Sequence, residues 1–225
     1  MMARKLWNIA IVSSIMACGG AVISGANESV QADCLFAFAE RIEKGETVKR
    51  REVAEAFNKV VEANDEKSLR KLFEDFRKRL CAVKMAGLHV EKKERVVNQV
   101  CECFEVLQNN GALIDEEFSW NIRLESLRWL RDAINIAEKE RPCDKRTWPQ
   151  KWGNVRLYSN DEFNRWESFM KRVKRKYSES IRRAGYDIMV CEHSEEFKKR
   201  VRDALESIIG RSMNEDDVQF CDGKR

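Results

Sequence analysis

Two prolines and ten glycines in 225 residues leave this chain few places to end a helix. That scarcity limits the fold more than any motif does. Between the breakers, apolar residues recur at spacings of three and four, the period of one helix face. Residues 33–44 carry Leu35, Phe36, Phe38, Ala39 and Ile42, and Gly45 follows as a stop. A second helix, with Val53, Ala56, Phe57, Val60 and Val61, is expected to start near Thr47 as its N-cap. Asn64 and Asp65 interrupt the pattern and cap a third, with Leu69, Leu72, Phe73, Phe76, Leu80 and Val83 on one side.

After a link at 87–91, a fourth helix carries Val96, Val97, Val100, Cys101, Phe104 and Leu107 and stops at Asn109-Asn110-Gly111. Asp115, Glu116 and Glu117 then suit the positive end of a fifth helix rather than acid–base chemistry. Residues 118–137 hold two apolar stripes: Trp120, Leu124, Leu127, Ile134, and Phe118, Ile122, Trp129, Ala133. A helix apolar on two sides belongs at the centre of the packing. Residues 138–158 contain both prolines, Pro142 and Pro149, and form the main irregular stretch. Phe163, Trp166, Met170, Val173, Tyr177, Ile181 and Ala184 mark a long helix over 160–184, closed by Gly185. The alternation at 155–158 and 186–190 allows one minor two-stranded pairing around that helix. Residues 194–209 form the last helix.

The class expected is all-α, an irregular helical bundle of antiparallel helix pairs. A short α-solenoid is the alternative, because residues 68–72 and 126–130 resemble each other, although no period recurs three times. The domain division expected is 1–32, 33–138, an aromatic basic connector at 139–158, and a helical region at 159–225.

Residues 6–26 carry no charge and directly follow Arg4 and Lys5, the layout of an export signal. Cleavage after Ala26 or Ala32 would release an exported chain, periplasmic or secreted. The alternatives are an uncleaved membrane anchor and a lipid on Cys18, since Ile15-Met16-Ala17-Cys18 resembles the lipobox of bacterial lipoproteins. This segment also allows membrane association. Asn27-Glu28-Ser29 matches an N-glycosylation acceptor. In an oxidising compartment the cysteines beyond Cys18 (Cys34, Cys81, Cys101, Cys103, Cys143, Cys191 and Cys221) predict at least one disulfide bond. Cys101 and Cys103, two apart on a helix, point to different sides.

Charge is uneven. Residues 139–183 hold fourteen Lys or Arg against six Asp or Glu. Trp148, Trp152, Lys171, Arg172, Lys174, Arg175 and Lys176 are therefore the candidate partner-binding residues, facing an unknown protein or an anionic envelope component. The competing reading is a solvated face on a core-packed helix. Nucleic acid suits the charge but not an exported chain. His89 and His193 lie in no metal-binding or haem motif, and there is no glycine-rich phosphate loop or nucleophile elbow. Cys191-Glu192-His193 reads as a structural cysteine beside a helix-start histidine, and Cys101-x-Cys103 lacks zinc-site spacing. No catalytic, cofactor-binding or metal-ligating residue is assigned. The function expected is that of an exported, non-catalytic helical interaction protein. A structural scaffold or helical-repeat adaptor without a dedicated anion site is the first alternative, and an enzyme with a non-local active site the second.

Overall fold

The computed structural model describes residues 27–142 and 160–214, and these are built from seven helices with no strand among them. In chain order they are α1 (Asn27–Glu43), α2 (Arg50–Ala63), α3 (Glu66–Ala82), α4 (Val90–Gly111), α5 (Glu116–Lys139), α6 (Asn160–Val190) and α7 (Glu195–Ile209). The protein is all-α. None of these helices is long and apolar enough to cross a membrane. Residues 1–26, which hold the stretch read as an export signal and Cys18, lie outside the described residues.

Local chemistry sets most of the boundaries. α1 ends in a left-handed Gly45 (φ 77°), whose N–H donates to Ile42 O at 2.9 Å while Glu46 N–H donates to Arg41 O at 2.9 Å. Those two bonds satisfy carbonyls that a helix end leaves open. Asp65 caps α3 by accepting from Ser68 N–H at 2.7 Å, and Asp115 caps α5 by accepting from Glu117 N–H at 3.0 Å. Ser194 caps α7 by accepting from Phe197 N–H at 3.2 Å, and the left-handed Gly210 closes that helix.

Three expectations need correction. Thr47 is not an N-cap: α2 begins at Arg50, because Val48 is buried first and its carbonyl accepts Gln99 Nε2 at 3.3 Å. Gly185 does not end α6, which continues to Val190. Residues 186–190 are accordingly helical rather than a strand, and 155–158 lies outside the described residues. The physical reason is packing: Ile181, Ala184 and Ile188 are buried at helical spacing, whereas Tyr186 and Val190 are exposed. Finally, α1 starts at Asn27, six residues before the expected position.

Two apolar cores result. The larger joins α1–α4, Phe118, Ile122, Trp129, Leu130, Ala133, Ile134 and Ala137 of α5, and the first half of α6 through Trp166, Phe169, Met170 and Val173. Phe57 is its aromatic centre, with ring centroids 5.1 Å from Phe73 and 5.5 Å from Phe76. The smaller joins Trp120, Leu124 and Leu127 of α5, Ile181, Ala184 and Ile188 of α6, and α7. The two stripes of α5 thus serve different cores, with only Ile134 on the other side from that expected. Tyr177 lies where the cores meet, and its hydroxyl donates to Ile208 O at 3.2 Å.

Candidate binding surface on the long helix

Helix α6 presents its apolar stripe inward and its cations around the remaining circumference, so burial alone aims the basic residues at solvent. Lys171, Arg172, Lys174 and Arg175 are all exposed. Most of them already hold an acid. Arg172 donates twice to Glu94, through Nε and Nη2, each at 2.8 Å. Lys174 Nζ lies 2.5 Å from Glu138, Arg175 lies 3.5 Å from Glu179, and Arg165, two turns before Arg172, lies 2.6 Å from Glu91. Exposed pairs of this kind contribute only about 0–1 kcal/mol each. They damp the field of the helix without fixing its cations irreversibly. Lys171 has no ion pair among the described residues. Trp148 and Trp152 lie outside the described residues, as do Cys143 and Cys221.

Two recesses divide the candidate cations. An open groove of about 730 Å³ between the end of α5 and the start of α6 is lined by Glu138, Arg141, Trp166, Glu167, Lys171 and Lys174, among others. Arg141 lies 5.4 Å from the ring centroids of both Phe163 and Trp166, a cation–π arrangement. Trp166 itself is buried and donates Nε1–H to Ala137 O at 3.1 Å, so it forms a wall of the groove instead of a free stacking platform. The sequence marks Trp166 as core, correctly, but gives no sign that Arg141 meets it, because the contact spans the irregular stretch between α5 and α6.

Lys176 faces elsewhere. It turns into a cleft of about 270 Å³ between α4, α5 and α6, together with Cys101, Glu102, Glu105, Arg123, Arg183 and Asp187. Arg123 is mostly buried there and pairs with Asp187 at 2.9 Å. Burial, reinforced by the neighbouring Arg183, holds its guanidinium below the usual arginine range despite that pair. The cleft brings three cations and three acids together, so it has no net formal charge.

The five described cysteines, Cys34, Cys81, Cys101, Cys103 and Cys191, are all free thiols, so no disulfide forms among them. The physical reason is their placement: Cys103 is buried inside the larger core, Cys101 lies at the cleft, and Cys34 and Cys81 are exposed on α1 and α3. Burial pushes the Cys103 thiol up to about 12; local desolvation of the sulfur, on an otherwise exposed residue, and the Glu125 carboxylate push Cys81 up to about 11. Cys191 donates its thiol back to Ile188 O at 3.1 Å, while His193 lies against the Phe197 ring with Nε2 2.9 Å from Glu116. The thiol and the imidazole therefore serve different neighbours. Among the described residues no group of three His, Cys, Asp or Glu side chains could hold a metal ion.

No family model, curated protein or solved structure matches the chain.

Proposed function

We propose that this chain is an exported, non-catalytic helical interaction protein whose basic aromatic region, 139–183, faces an anionic or protein partner. The observation that carries the reading is the groove between α5 and α6. There Arg141 and Lys171 have no carboxylate paired with them among the described residues, and Lys174 is held only by an exposed acid. An anionic group entering the groove meets Lys171 and Lys174 of α6 and Arg141 just past the end of α5. Glu138 and Glu167 on the rim favour a discrete anion over indiscriminate polyanion coating.

The pairing of Arg172, Lys174 and Arg175 with acids supports a second reading, a scaffold without a dedicated anion site. Co-sedimentation of the mature protein with phosphatidylglycerol vesicles separates the two. Under the binding reading, K171E/K174E lowers retention about tenfold, while the charge-matched R51E/K59E on α2 leaves it unchanged. Equal retention of both double variants would leave the scaffold reading standing.

A further inference from the structure

The cleft beside α6 places a thiol and an amine from two different helices in one small polar recess. Cys101 projects from the middle of α4 and is 9% exposed; Lys176 comes from α6, 75 positions later in the chain. Burial keeps the Cys101 thiol above its ordinary range, and the Lys176 ammonium that lines the same cleft acts against it by favouring the ionised form. No second described cysteine competes for Cys101. Cys103 belongs to the same helix and is directed into the core, and Cys34, Cys81 and Cys191 lie on other elements.

We propose that Cys101 and Lys176 form an oxidation-dependent covalent bridge, a sulfur–nitrogen bond that ties α4 to α6 across the cleft. The oxidant class is a peroxide, small enough for a recess of about 270 Å³. In the first step the Cys101 sulfur attacks hydrogen peroxide. The O–O bond breaks, sulfur loses two electrons to it, and the products are a sulfenic acid and water. In the second step Lys176 releases one proton to solvent and its amine nitrogen attacks the sulfur. The S–O bond breaks, and the oxygen leaves as water with the sulfenic acid proton and the second amine proton. Two equivalents of external thiol reverse the bridge, regenerating thiol and amine and leaving as a disulfide. The amine competes well because it is already in place, an intramolecular advantage over a second molecule of peroxide. Burial that keeps the thiol protonated makes the first step slow.

The test is mass spectrometry of the full chain treated with hydrogen peroxide, followed by peptide mapping with and without dithiothreitol. The wild type is expected to yield a linked peptide pair joining Cys101 to Lys176, about 2 Da below the sum of its parts and separated by dithiothreitol. Lys176→Arg keeps the charge but removes the nucleophile. It is expected to give no linked pair and a Cys101 sulfinic acid, about 32 Da heavier. Wild-type Cys101 that stays reduced, or that goes to the sulfinic acid without the linked pair, would overturn the proposal. The wild-type map decides this even if the variant were misfolded.

Discussion

Gly111 ends α4 where it turns into α5, and among the described helices these two pack most extensively against each other. A Cβ built there would lie 2.9 Å from Ile122 Cδ1 and 3.2 Å from Phe118 Cδ1. Gly111→Ala is therefore expected to cost about 1–3 kcal/mol by overpacking. Urea unfolding measures it, and an unchanged midpoint would mean that Ile122 yields freely. Glu140 offers a second prediction at this scale. Its carboxylate accepts from the buried Lys93 ammonium and from Gly87 N–H at 2.9 Å, fastening the α3–α4 link to the end of α5. Desolvation works against the charge, but these donors hold the carboxyl below its ordinary range. A depressed folded value means that the contribution is complete above the unfolded carboxyl range and fades as pH falls through the folded value. Glu140→Gln should cost about 1–2 kcal/mol at neutral pH, and the difference should close in acid below the folded value. Unfolding of both proteins across pH checks the sign.

At the scale of elements, α6 is the piece the sequence half discloses. Its stripe from Phe163 to Ala184 is legible because burial repeats at helical spacing, and the end of the helix is not, because Gly185 looks like a terminator. A glycine in a helix interior costs only about 1 kcal/mol, and the burial of Ala184 and Ile188 on either side offsets that. Asp65 is legible as a cap because its partner lies three residues on, while Asp115 and Ser194 are legible only as helix starts, and Thr47 fails because Val48 is buried ahead of α2. The candidate surface shows the same division. Exposed cations follow from the stripe, but their partners Glu94, Glu138 and Glu91 lie tens of residues away and no local pattern discloses them. Tyr177 illustrates a consequence of the long helix. Its hydroxyl and Arg131 both donate to Ile208 O, joining α5, α6 and the end of α7. Tyr177→Phe should cost about 1 kcal/mol, and hydrogen exchange should show earlier opening in α7 than in α2 or α3. Uniform destabilisation of all helices would contradict that placement.

Across the whole molecule, α5 and α6 each contribute to both cores, so the basic side of α6 is carried on an element buried along much of its length. A surface mounted this way changes shape little on binding, and a partner then meets a fixed arrangement of charge. Exposed ion pairs neutralise part of that charge, while Arg141, Lys171 and Lys174 converge on one groove. The proposed function therefore depends on a localised set of cations rather than on the modest net charge of +4. The most direct measurement is the salt dependence of vesicle binding by the wild type and by K171E/K174E. Wild-type retention on phosphatidylglycerol should fall steeply with added salt, and the double variant should be weak at every salt concentration. Superimposable curves for the two proteins would contradict the account.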